Sequence, residues 1–230
     1  MIRAILFDMD GLIFDTESIH KACWLAAAEQ QNITVDEEFY QTFIGVQAAE
    51  CEKRLIKRFS SRLDIERFRI DRDNLLEKSR ETQAEFKPGF QQLIYLLKQQ
   101  GLLCALVTSS ALKEVQHHFS SSRYLDEFDA IVTAEDVTRG KPNPDCYLQA
   151  CQKLGIKPKH CLVLEDSNNG MRAGLEAGCL AAMVPDLLQP SDDVAARANF
   201  IFNGLHDVAE LIEATSIATD CHGELSRAGA

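Results

Sequence analysis

Long apolar runs are missing from this 230-residue chain. Nowhere do 18 apolar residues follow one another, which excludes the usual membrane-spanning helix. A leader segment is not legible either, because the short apolar opening of Met1 to Phe7 gives way at once to Asp8 and Asp10. A soluble, cytoplasmic protein is expected. Glycine and proline are scarce, at 12 and 6 residues, so collagen-like and low-complexity architectures are excluded. Hydrophobic residues make up 46% and charged residues 26%, the balance of an ordinary globular protein. Runs of Lys or Arg are absent, and acids outnumber bases by 35 to 24 for a net charge of −11. The footprint of a nucleic-acid or anionic-membrane binder is therefore lacking. No CxxC pair occurs among the eight cysteines, which argues against a zinc or disulfide framework. Several lie inside apolar runs such as LLCALV and CLVLE, and the set reads as free, largely buried thiols.

What is present is alternation. Short apolar runs (IRAILF, LLCALVT, DAIVT, CLVLE, LAAMV and NFIF) are separated, from residue 87 onward, by stretches with helical spacing. Phe90, Leu93, Ile94 and Leu97 form one such stripe, and Tyr147, Ala150, Cys151 and Leu154 another. Strands alternating with helices predict an α/β fold, a parallel sheet flanked by helices. Residues 16–86 break the rule, with helical spacing (Ile19, Ala22, Cys23, Ala26) and no strand-like run. We expect an all-helical unit over 16–86, inserted into a core made of 1–15 and 87–215. Lys87-Pro88-Gly89 marks the return to the core, and residues 216–230 read as a polar tail.

Four segments stand out chemically. The first strand hands over to Asp8-Met9-Asp10-Gly11, two carboxylates that an extended backbone would point to one side. Ligands of open parallel sheets bind at the carboxyl ends of strands, which makes both acids site candidates; a turn or N-cap pair is the plain alternative. Leu106-Val107 ends in Thr108-Ser109-Ser110, hydroxyls and backbone N–H groups suited to an anion, or equally an N-cap for a helix starting near Ala111. Gly140-Lys141-Pro142-Asn143-Pro144 sets a lysine in a stiffened turn, where a solvated side chain is the commoner outcome. The strand CLVLE closes on Glu165-Asp166-Ser167, a second acidic strand end. Hard oxygen donors of this kind suit Mg²⁺.

Taken together, FDMDGLIFDTE, VTSS, GKPNPD and LEDSNNG resemble, in order and spacing, the four motifs of the haloacid dehalogenase-like superfamily. The resemblance runs to about residue 214, and a helical insert after the first motif is similar to the cap of the subgroup holding β-phosphoglucomutase and many small-metabolite phosphatases. It implies a Rossmann-like core with a helical cap. It also implies Asp8 as nucleophile and Asp10 as general acid and base, with Mg²⁺ held by Asp8, Asp166 and the Asp10 backbone carbonyl, and by Glu165 directly or through water. Lys141 would neutralise charge, Thr108 and Ser109 would bind phosphoryl oxygens, and the cap residues Gly45 and Val46 would face the substrate, as would His20, which matches a mutase-like position or equally is a helix-face histidine near the hinge.

The acid at position 10 argues against a dehalogenase, which has none there. Lys21, Lys53, Lys57 and Lys78 read as solvated helix charges rather than as the Schiff-base lysine of phosphonate-cleaving relatives. Ala48 stands where the mutases carry an arginine for a second phosphate. The expectation is a monomeric phosphatase acting on a small phosphate ester of the sugar or nucleoside type. A phosphomutase and a non-catalytic binding protein are the alternatives.

Overall fold

The computed structural model describes residues 1–43, 48–79 and 84–214. Six strands, β1 (Ala4–Phe7), β2 (Leu103–Val107), β3 (Ala130–Val132), β4 (Cys161–Glu165), β5 (Leu180–Met183) and β6 (Phe200–Ile201), fall in the six apolar runs. All neighbours pair in parallel in the order β3-β2-β1-β4-β5-β6. Every residue of β1 and β4 is fully buried, as a central strand covered on both faces requires.

Between β1 and β2 the described chain is helical: α1 (Thr16–Glu29), α2 (Glu37–Gln41), α3 (Ala48–Phe59) and α4 (Ile65–Ser79). α5 (Phe90–Gln99) then leads into β2, and after β2 come α6 (Leu112–Phe119), α7 (Asp145–Leu154), α8 (Asn168–Glu176) and α9 (Asp192–Ala195). No described helix is long and apolar enough to cross a membrane.

The sheet sorts its side chains by parity. Ile5 and Phe7 of β1 and Leu162 and Leu164 of β4 pack with α5, α6 and the helical residues 205–214. Ala4, Leu6, Cys161 and Val163 pack with α7 and α8 on the other face. Asp8 and Glu165 continue the second series, so both emerge at the strand ends on the α7 side. They also emerge where the connections from β1 and β4 diverge, the crevice of an open α/β sheet.

The helices α1 to α4 enclose a core of their own, with Ala27, Leu55 and Phe68 fully buried. Trp24 packs against Phe43 and Phe68, and the Arg72 guanidinium lies 5.1 Å from its ring. Arg72 and Arg69 both donate to buried Glu52, at 2.6 and 2.9 Å. Burial opposes the Glu52 charge, but these hydrogen bonds outweigh it and hold the carboxyl below its ordinary range.

The two segments joining these helices to the sheet run side by side. Phe14 bridges Phe86 antiparallel, Asp15 N donates to Glu85 O, and Lys87 N to Ile13 O. The Lys87 ammonium then ties Asp186 (2.7 Å) to Asp15 (3.3 Å), fastening the junction to the sheet. At Gly89 (φ +91°) a side chain would press within 2.9 Å of the His206 backbone nitrogen, so glycine is required there. The seven described cysteines are all buried and free, as expected; Cys221 lies outside the described residues.

Candidate active site

Phe7 pairs with Leu164, and Asp8 N donates to Leu164 O, so the carboxylates of Asp8 and Glu165 leave adjacent strands side by side. Two buried like charges need a cation between them. Lys141 supplies it: its ammonium donates to Asp8 Oδ1, to Glu165 Oε1 at 2.6 Å and to Val107 O at 3.1 Å, with only 8% of the side chain exposed. The solvated loop lysine that the local sequence suggested is not what forms.

Glu165 is held by more than Lys141. Tyr147 Oη donates to the same Oε1 at 2.8 Å, while Ser167 donates to Oε2 through its backbone N (3.1 Å) and its Oγ (2.9 Å). Ser167 Oγ also accepts from Gly170 N and so caps α8. A Cβ at Gly170 would collide with the Glu165 carboxylate, which explains the glycine inside that helix.

Tyr147 was legible only as part of the apolar stripe of α7. It is indeed fully buried, and its ring also lies 5.2 Å from the Lys141 ammonium. Tyr147→Phe keeps the ring and deletes one donor to a buried carboxylate. It is expected to lower stability by about 1–3 kcal/mol, read from chemical denaturation, because Glu165 Oε1 loses a partner it cannot replace with water.

Asp166 completes the acidic group. One oxygen from each of Asp8, Glu165 and Asp166 lies within 4.8 Å of the others. A side chain at Gly11 (φ +82°) would strike Asp166 Oδ2, so the loop after β1 closes on this group only through a glycine. Three acids and one ammonium leave an excess of negative charge in a buried place. Burial pushes the Asp8 carboxyl up to about 8, with Lys141 opposing and Glu165 and Asp10 adding to the rise. Burial, followed by the charges of Glu165 and Asp8, raises Asp166 well above its ordinary value. Hard, clustered oxygens with uncompensated negative charge fit a divalent cation of the Mg²⁺ type.

Asp10 stands apart from that group. The backbone leaves the strand after Asp8 in a tight loop, in which Ile13 N donates to Met9 O and Gly11 N to Phe14 O. The Asp10 carboxylate turns instead to the end of β2, accepting from Ser110 Oγ at 2.7 Å and Thr108 Oγ1 at 3.4 Å. Thr108 Oγ1 in turn accepts from Ser110 N, and Ser109 is exposed. Ser110 is not the N-cap of α6, a position taken by Ala111; it is a partner of Asp10 that sequence reasoning did not assign.

His20 lines a cavity beside Asp10 together with residues of α4 and α6. Gly45 and Val46, with Ile44 and Gln47, lie outside the described residues. Ala48 opens α3 on the surface. Lys53, Lys57 and Lys78 are exposed, in keeping with solvated helix charges, whereas Lys21 is largely covered and pairs with Glu37.

A sequence profile of haloacid dehalogenase-like hydrolases matches residues 5–184. Hexitol phosphatase B of Escherichia coli (strain K12) is 32% identical over 203 residues, covering 80% of this chain and 84% of that protein. The beta-phosphoglucomutase of Bacillus subtilis (strain 168) is 28% identical over 190 residues, covering 80% and 83%. Among solved structures, CbbY from Rhodobacter sphaeroides in complex with phosphate is similar with a TM-score of 0.66. That match spans 89% of this chain and 95% of CbbY at 26% identity.

Proposed function

The chain belongs to the haloacid dehalogenase-like hydrolases, and from that membership we propose that it is a Mg²⁺-dependent phosphatase of small phosphate esters, working through an aspartyl-phosphate on Asp8. The observation that carries the reading is the division of labour between two acids of one loop. Asp8 is clamped by Lys141 among the acidic group, while Asp10 is held away from that group by Ser110.

A carboxylate attacking an anionic phosphate meets repulsion, and a divalent cation held by Asp8, Asp166 and Glu165, with the Asp10 carbonyl as a further oxygen, would offset it. An Asp8 oxygen bonds to phosphorus as the bond to the leaving oxygen breaks, and Asp10 gives that oxygen its proton. Asp10 then takes a proton from water, the water oxygen bonds to phosphorus, and inorganic phosphate leaves as the Asp8 carboxylate is restored. Lys141 holds Asp8 in position and offers positive charge to the transferring group, and Thr108 and Ser109 serve its oxygens. The helical unit of residues 16–86 acts as a cap that keeps bulk water from the reacting centre.

Similarity to a beta-phosphoglucomutase supports a second reading, transfer back to a sugar rather than to water. Against it, Ala48 offers no charge to a second phosphate. The two readings part in one assay with Mg²⁺: p-nitrophenyl phosphate and a panel of sugar phosphates, then β-glucose 1-phosphate with a bisphosphate activator. Phosphate release is the expected outcome. Isomerised sugar without phosphate release would establish the mutase, and silence on the whole panel would leave a binding protein on an enzyme fold.

A further inference from the structure

The cavity beside Asp10 measures about 370 Å³ and is walled by α6 on one side and by α1 and α4 on the other. Asp10 forms part of its wall, so a leaving group whose oxygen takes a proton from Asp10 would extend into this cavity. Two residues of α6 reach it, Glu114 and His118. Spaced four apart on one helix, they share a face and stand about one turn from each other.

His118 is oriented rather than loose. Its ring lies tilted against Phe14, with centroids 5.1 Å apart, and its Nδ1 is buried with no hydrogen-bond partner. A neutral imidazole carries a single N–H, and burying that proton unpaired on Nδ1 is the more costly arrangement, so the proton belongs on Nε2. A ring that served packing alone would be better as phenylalanine, which has no nitrogen to leave unsatisfied. Glu114 brings the complementary chemistry, carboxylate oxygens that only accept. A donor and an acceptor on one face of the helix suit a leaving group that carries hydroxyls, each able to give and to take a hydrogen bond.

Resting on the phosphatase reading, we propose that His118 and Glu114 determine substrate specificity by hydrogen-bonding hydroxyls of the leaving group. His20 and Ser79 add polar groups on the opposite wall, and Leu76 supplies an apolar surface for the carbon chain. A site built this way discriminates against an analogue lacking the hydroxyls, since the N–H of His118 then meets no acceptor.

The test compares two monoesters of equal chain length, sorbitol 6-phosphate and n-hexyl phosphate, by kcat/KM with Mg²⁺ present. The unaltered chain is expected to prefer the polyol ester by at least about tenfold. His118→Leu should lower that preference about tenfold, mainly through KM, and His118→Gln, which restores an N–H near the same place, should recover most of it. Glu114→Gln should lower the preference in the same sense. Equal rates on the two esters in the unaltered chain, or an unchanged preference in folded His118→Leu, would overturn the inference and leave the phosphatase reading intact. If His118→Leu does not fold, the preference of the unaltered chain and of Glu114→Gln decides. Release of phosphate from neither ester by the unaltered chain would overturn this inference, and the phosphatase reading falls with it only if the whole panel of phosphate esters is silent as well.

Discussion

Asp8→Asn is expected to slow phosphate release by at least about 10³-fold, roughly 4 kcal/mol of lost transition-state stabilisation, without unfolding the chain. The two halves of this expectation have separate causes. Turnover is lost because an amide oxygen cannot form the acyl-phosphate on which both steps depend. Stability is kept because burial already works against the charge on Asp8, pushing its carboxyl up to about 8, so a neutral side chain of the same shape is tolerated there. Lys141 keeps a charged partner in Glu165 at 2.6 Å. Steady-state phosphate release and thermal unfolding of the same preparation check both halves. A rate close to that of the unaltered chain would remove Asp8 from the nucleophile's role, and a lost unfolding transition would make it a structural residue instead.

The second large effect concerns the divalent cation. Treatment with EDTA is expected to abolish phosphate release and Mg²⁺ to restore it. Independently of activity, Mg²⁺ should stabilise the folded chain, by about 2.7 kcal/mol once it stands at 100 times its Kd. Asp166→Asn should lose that stabilisation. A sign follows for pH. Asp8 and Asp166 have raised carboxyl pKa values, and a cation binds their deprotonated forms, so Mg²⁺ binding releases protons. Its apparent affinity should rise as pH is increased through the neutral range. Calorimetric titration in two buffers of different ionisation enthalpy measures both the affinity and the protons released. Affinity independent of pH, or unaltered in Asp166→Asn, would argue against a cation on these carboxylates.

How far the sequence could be read depended on how locally each feature is determined. The strands were legible because β1 and β4 are buried on both faces and so stay apolar at every position until an acid ends them. The pairing of Asp8 with Glu165 then follows from parity along two adjacent strands. The side chains that serve these acids were harder to read. Three residues in a row, Thr108, Ser109 and Ser110, carry hydroxyls, and which of them turns to Asp10 is decided by the path of the loop rather than by residue type. Tyr147 was hidden because its ring satisfies the apolar stripe of α7, while the hydroxyl that reaches Glu165 leaves no trace in the periodicity. Lys141 lies 133 residues from Asp8, and no local pattern fixes that its ammonium is buried. His118 and Glu114 belong to no motif of the sequence, and they face a cavity only because α1 and α4 are placed opposite them.

The central claim is that Asp8 carries the phosphoryl group between the two steps. Turnover stopped by rapid quench during steady-state hydrolysis, followed by borohydride reduction, converts an aspartyl-phosphate to homoserine, which peptide mass spectrometry locates by residue. The account predicts homoserine at position 8 and nowhere else, absent in Asp8→Asn. Unmodified Asp8 in an enzyme that is releasing phosphate, under conditions that trap the intermediate in a known aspartyl-phosphate enzyme, would contradict it.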